Sequence, residues 1–360
     1  MSQAGRRDLA ADVFRGLGLW ILFVDHLEPN FWSHFTPGRF GFSDFAEIFV
    51  FFSGYINASM YGRALQAGSG TAIRKLWTRL ARLYLAHIAT MAACIAVLAV
   101  FAARGVRLHD PILYKWMDAP LEYTARILAL LYAPHWFSLL PLYIVLAPFT
   151  LLAVYALQRW PSITLAASFI VWCVAQSKAT DFPVMTSQEA WYFRPLAWQW
   201  MMVLGAATAM YWDRVKRVAQ WRSLQFGALA IVAASFLLKA AAPLVSLSPL
   251  LMRVVVNDAG KARLAPFRLI HFLSLAILVI AFPWNRDKLL ASPVVRLAAA
   301  AGQDSLFIYC VVLVLTIAEN LLLENQPDSL LLQLGCSLAG LAVICGITLL
   351  RHKQQPASYL

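Results

Sequence analysis

Apolar residues along this chain come in long runs, separated by short clusters of Arg, Lys, Pro and Gly, with no strand-like alternation. A bilayer needs roughly 20 apolar residues per crossing, and about ten runs approach that length. The pattern predicts an all-α fold, a polytopic membrane helical bundle. The expected spans are 13–27, 45–61, 83–103, 136–157, 162–177, 195–212, 224–242 and 267–284, with two more before Arg351. The stretch 123–132 is too short to span and predicts a re-entrant or interfacial helix. The first run ends in Asp25-His-Leu-Glu-Pro29, not in a small-residue cleavage site, so it reads as a retained span. The hydrophilic loops are too short to fold alone. One integral-membrane domain over 1–360 is therefore expected.

The polar clusters orient the bundle. Arg63, Arg74, Lys75, Arg79 and Arg82 follow the second run, and Arg214, Lys216, Arg217 and Arg222 follow the sixth. By the preference of basic loops for the cytoplasm, both stretches lie inside, as do segment 1–12 and tail 351–360. That arrangement puts about 18 Lys and Arg inside and about 12 outside. Both termini are expected to be cytoplasmic.

Composition agrees with the pattern. Hydrophobic residues make up 61% of the chain and charged ones 13%, with mean hydropathy +0.66, against about 25% charged in soluble proteins. The net charge of +12 lies mostly between apolar runs, which fits anionic membrane lipid and argues against a nucleic-acid partner. Five cysteines fall inside apolar runs without CxxC spacing, so buried free thiols are expected and no metal site. No P-loop, HExxH or GxSxG motif is present.

Chemistry concentrates in a few places. Arg15 and His26 stand eleven residues apart, about 16.5 Å of helix rise and nearly whole turns, so one strip carries both. Arg15 alone reads equally well as a residue snorkelling to the interface. His26 beside Asp25 is harder to explain that way, because an imidazole can accept and return a proton near neutral pH. Asp44 and Glu47 share a helix face at the start of the second span. Asp44 suits a helix N-terminus and Ser43 a cap; Glu47, followed by Ile-Phe-Val-Phe-Phe, needs a partner, with His26 or Arg39 available. Arg194, Arg268 and His271 gather at the same outer level, where an external acceptor would bind. Gly302-x-x-Ser305 suits close helix packing.

Several segments together resemble the OpgC family: Arg15-x10-His26, Gly41-Phe-Ser-Asp-Phe-Ala-Glu-Ile-Phe-Val-Phe-Phe-Ser-Gly-Tyr55 and Ala81-Arg-Leu-Tyr-Leu-Ala-His87. So do Leu140-Pro-Leu-Tyr-Ile-Val-Leu146, Arg194-Pro-Leu-Ala-Trp-Gln199 and Leu264-Ala-Pro-Phe-Arg-Leu-Ile-His-Phe272. That family, similar to the wider acyltransferase-3 superfamily, succinylates osmoregulated periplasmic glucans. The resemblance implies a multi-pass acyltransferase of the bacterial inner membrane. Its co-substrate would be acyl-CoA, succinyl-CoA above all, with no tightly bound cofactor, and its acceptor a periplasmic glucan. It implies His26 as general base, Asp25 as its orienter, and Glu47 and Asp44 as positioning groups. Arg15 would hold the donor, and Arg63 and Arg82 would attract the CoA phosphates. Asp44, Ser43, Arg194, His271 and Arg268 would meet the acceptor, and Arg126, Arg194 or Arg268 a succinyl carboxylate. Two other readings stay open: an O-acetyltransferase acting on another surface or lipid-linked saccharide, and a proton-coupled transporter, which would be expected to show inverted repeats.

Overall fold

The computed structural model describes residues 9–177, 180, 192–242, 260–285, 289, 291–324 and 326–354, and among these no strand occurs. The sides of the membrane expected for 1–8 and 355–360, and most of the external loops 178–191 and 243–259, concern residues outside that set. Helix α1 (Leu9–Asp25) is followed by the irregular turn 26–30, then α2 (Phe45–Gln66) and α3 (Ser69–Ala102). After α4 (Pro120–Leu128) come α5 (Leu139–Arg159), α6 (Pro161–Val174), α7 (Pro195–Met210) and α8 (Trp212–Ala219). The chain continues through α9 (Arg222–Ala241), α10 (Pro266–Ala281), α11 (Pro293–Gln303), α12 (Ser305–Leu323) and α13 (Leu330–Gln354).

Five of these helices, α3, α5, α9, α12 and α13, are long and apolar enough to cross a membrane, while α6 and α10 are apolar but shorter. About ten such runs were expected. Proline at the first turn starts α4, α6, α7, α10 and α11, where its missing N–H costs nothing. The nine residues of α4 rise only about 13.5 Å, too little to cross, and its buried face carries Tyr123 and Ile127.

Two expectations change. The basic stretch after Tyr61 is not a loop: α2 runs to Gln66 and α3 begins at Ser69, so Arg74, Lys75, Arg79 and Arg82 ride on the first turns of a 34-residue helix. The only break is at Gly68, whose φ of +116° suits glycine. Nothing between Ser69 and Ala102 interrupts the helix, and charge alone does not end one. The second basic stretch is likewise helical, as α8. All five cysteines are free; Cys94 and Cys336 are buried as expected, whereas Cys310 and Cys345 are half-buried and Cys173 on α6 is exposed.

Two glycine crossings bring helices backbone to backbone. A Cβ on Gly16 would overlap the Ala298 carbonyl, and one on Gly302 the Asp12 carbonyl, so α1 and α11 touch at two points. Gly54 against Met202 and Gly205 against Phe51 join α2 to α7 in the same way. These approaches are available only where no side chain intervenes. They fix α1 and α2, which carry the polar residues, against the rest of the bundle.

Candidate active site

His26 lies one residue past α1, in a turn fastened from three sides. Its Nδ1 is 2.7 Å from the Leu22 carbonyl. A carbonyl only accepts, so Nδ1 carries the proton and Nε2 is the basic nitrogen. The Asn320 side chain on α12 accepts from Glu28 N at 3.0 Å and donates to the His26 carbonyl at 3.0 Å. Asn30 donates to the Val24 carbonyl at 2.8 Å, and Ser337 on α13 donates to Asn30 Oδ1 at 3.1 Å. Trp136 packs edge-on against the imidazole with 6.4 Å between ring centres. Asp25, expected to orient this ring, lies within its electrostatic reach. Its carboxylate accepts a hydrogen bond from Thr36 Oγ1 at 2.7 Å, whereas Nδ1 donates to the Leu22 carbonyl. The Leu22 carbonyl accepts from both the His26 N–H, at 3.2 Å, and the His26 ring, using both of its lone pairs.

Beside this turn the N-terminus of α2 gathers charge. Asp44 is the N-cap: its carboxylate accepts from Ala46 N at 2.9 Å, and Glu47 accepts from Asp44 N at 2.9 Å, a reciprocal capping box. Ser43, suited by type to that cap, turns elsewhere. Arg268 on α10 reaches Glu47 Oε1 at 2.7 Å, Glu47 Oε2 at 3.1 Å and Asp44 Oδ2 at 2.9 Å. Lys261 completes the cluster at 2.8 Å from Asp44. Glu47 is fully buried, so its partner was bound to be cationic; that partner is Arg268, not His26 or Arg39. Burial alone would raise the Asp44 carboxyl, but the Lys261 and Arg268 cations and the Ala46 N–H hold it well below the usual carboxylate range. Lys261 and Asp44 both lie within electrostatic reach of His26.

Arg268 and His271 are one turn apart and face the same way. His271 Nδ1 accepts from Ser43 N at 3.2 Å and pairs with Ser43 Oγ at 2.7 Å. Its Nδ1 is therefore unprotonated, the opposite tautomer to His26. A Cβ on Gly41 would overlap the His271 ring, which only glycine avoids.

Lys261 is a residue that sequence reasoning missed. The loop bearing it is tied to α6 and α7: Trp198 Nε1 donates to the Lys261 carbonyl at 3.0 Å, and Arg194 N to the Ala262 carbonyl at 2.9 Å. Trp172 Nε1 donates to the Leu264 carbonyl at 3.0 Å. Trp198, which a membrane-interface belt would explain equally well, is fully buried and holds this loop. Arg194, expected at the acceptor, meets this loop through its backbone N–H, and its side-chain Nε is buried.

The other end of the strip lies about 16.5 Å down α1. Arg15 donates to Ser305 Oγ, at the start of α12, and lies 3.7 Å from Asp12. Tyr143 stands within electrostatic reach of both Arg15 and Arg79. Arg79 Nη2 donates to Ser53 Oγ at 3.2 Å, whereas Arg79 Nε and the Tyr61 hydroxyl are buried without a hydrogen-bond partner among the described residues. Arg63 and Arg82 are both exposed; Arg63 lies about 24 Å of helix rise from Glu47, whereas Arg82 is one turn past Arg79, at about the level of Ser53. The structure thus brings Ser43, Asp44, Glu47, Arg268 and His271 together, with Asp44 in electrostatic reach of His26, while Arg15 and Arg63 stand further down α1 and α2 and Arg82 follows Arg79 on α3.

One helix touches both levels. Along α12, Ser305 meets Arg15, the Tyr309 hydroxyl donates to the Trp136 carbonyl at 3.1 Å, and Asn320 holds the His26 turn.

The family model described as OpgC protein matches residues 7–355, nearly the whole chain. No curated protein and no solved structure matches it.

Proposed function

Because the chain belongs to the OpgC protein family, whose members are membrane acyltransferases, we propose that it carries an acyl group across the bacterial inner membrane. The donor is acyl-CoA on the cytoplasmic side, with succinyl-CoA the leading choice, and the acceptor is a hydroxyl of a periplasmic glucan. The observation that carries this reading is the Arg15–His26 strip and its lining by α12. A cation sits at one depth, a histidine with a basic Nε2 at the other, and Ser305, Tyr309 and Asn320 line the interval.

In this reading Nε2 of His26 removes the proton from the attacking hydroxyl. The hydroxyl oxygen bonds to the thioester carbon, the C–S bond breaks, and the proton passes to the departing thiolate. Leu22 fixes the tautomer, and Asn320 and Asn30 fix the position of the ring, as near-attack geometry requires. The Asp44–Glu47–Arg268–Lys261 cluster sets the field around the imidazole and anchors the acceptor side through Ser43 and His271. On the donor side, Arg15 and the unpartnered donors Arg79 Nε and Tyr61 Oη fit a polar ligand. A buried donor left unpaired costs about 1–3 kcal/mol, and the amide-bearing arm of CoA supplies acceptors. Arg63, exposed toward that end, meets its phosphates, with Arg82 exposed further up α3.

A second reading replaces succinyl with acetyl. Arg268, one choice for a succinyl carboxylate, is already shared between Asp44 and Glu47. Periplasmic glucans from cells with and without the gene separate the readings. Loss of anionic substituents on deletion supports succinyl transfer; unchanged glucan charge with loss of neutral esters supports acetyl; unchanged glucans overturn the glucan acceptor.

A further inference from the structure

Where α12 passes into α13 the two helices leave an open groove of about 410 Å³, lined by Glu319, Gln326, Ser329, Leu332, Gly335 and Cys336. Glu319 is buried, and its Oε2 has no hydrogen-bond partner among the described residues. Its Oε1 lies against Gly340, where a Cβ would come within 2.6 Å. The acyl-transfer reading makes no use of this carboxylate. Asn320 directs its amide to the His26 turn, whereas Glu319, about 100° round the helix, belongs to the groove. A buried carboxylate oxygen without a donor is costly, and ionisable groups in membrane helices pair with something.

The surroundings say what. Both helices are long and apolar enough to cross a membrane, and Leu322, Leu330 and Leu331 are exposed around the groove, so it opens toward hydrocarbon. Among the described residues no aromatic ring lines it, so these offer no platform for the apolar face of a sugar. No Lys or Arg is among the described residues that line it, which disfavours a purely anionic headgroup. One carboxylate, one amide and one hydroxyl, set beside aliphatic side chains, complement a zwitterion on an acyl anchor.

We propose that this groove is a binding site for an ethanolamine phospholipid. Its ammonium donates to Glu319, Gln326 and Ser329 donate to its phosphate, and its chains lie along Leu322 and Leu331.

The full-length protein, reconstituted in nanodiscs of equal phosphatidylethanolamine, phosphatidylcholine and phosphatidylglycerol, tests this by native mass spectrometry of the lipids retained after delipidation. The wild type retains the ethanolamine lipid roughly tenfold over the choline lipid, whose quaternary nitrogen has no N–H to donate. Glu319→Gln erases that preference. Gly335→Leu, which fills the open side of the groove where a Cβ on Gly335 meets nothing within 4 Å, removes retention of both lipids. Thermal unfolding and acyl transfer stay at wild-type level in the Gly335 variant. Equal retention of ethanolamine and choline lipids by the wild type overturns the proposal. So does ethanolamine retention that survives Gly335→Leu, preference for the glycerol lipid, or displacement of the lipid by a soluble oligoglucan.

Discussion

Asn320 hydrogen-bonds both sides of the peptide turn that carries His26, accepting from Glu28 N and donating to the His26 carbonyl, each at 3.0 Å. A residue 294 positions away in sequence thus sets where the histidine stands. Replacing Asn320 by Leu removes both bonds and leaves a backbone N–H and a carbonyl unsatisfied. The expected loss is about 1–3 kcal/mol of stability, with a fall in kcat and little change in the KM for acyl-CoA. Asn320→Asp keeps the acceptor but loses the donor, so it falls between. Steady-state kinetics beside thermal unfolding of the purified variants checks this.

The Glu47–Arg268 pair makes an asymmetric prediction. Arg268→Ala strands a fully buried carboxylate, and breaking such a pair typically costs roughly 3–5 kcal/mol. Replacing both partners, as Glu47→Gln with Arg268→Met, removes the unpaired charge and recovers most of that loss. A double-mutant cycle on unfolding midpoints reads the coupling directly; additive effects would mean the two side chains act independently.

Asp44 gives a pH signature. Its folded carboxyl is held below the ordinary range by Lys261 and Arg268, despite a burial that would raise it. A depressed folded value contributes stability above the unfolded pKa, near 3.9, and that contribution is lost as pH falls below it. The stability gap between wild type and Asp44→Asn is therefore flat from pH 8 to about pH 5 and narrows below about pH 4. Unfolding midpoints measured across that range test it; a gap that widens on acidification would refute the assignment.

The glycine crossings respond to small side chains. Gly54→Ala puts a methyl into the Met202 carbonyl, so α2 and α7 must separate. Overpacking of this kind costs about 1–3 kcal/mol. Gly335→Ala, at an open position, costs nothing measurable. Thermal unfolding of the two variants side by side gives the contrast.

What could be read from the sequence was local. The Arg15–His26 spacing follows from helix geometry, and Asp44-x-x-Glu47 is a capping signature, though Ser43 competed for the cap by residue type. Arg268 and His271 were legible as an outer-level pair because they are one turn apart. What was hidden depends on contacts between distant segments. Lys261 looked like any loop lysine until Trp198 and Trp172 tied its loop to the bundle. The Ser43–His271 bond spans 228 positions, and a single sequence carries no record of such pairs. The length of α3 was misjudged because its first turns are basic, and a charged amphipathic helix resembles a loop when only hydropathy is weighed.

The account rests on His26 as the base that activates the acceptor hydroxyl. The direct measurement is acyl transfer from labelled succinyl-CoA to added glucan by the protein in vesicles, comparing wild type with His26→Ala and His26→Gln. Loss of roughly 10²-fold or more in kcat is expected for both, with unchanged unfolding midpoints and unchanged donor affinity, whereas Arg15→Ala raises the KM for the donor. Near-wild-type transfer by a folded His26→Ala protein would contradict the account.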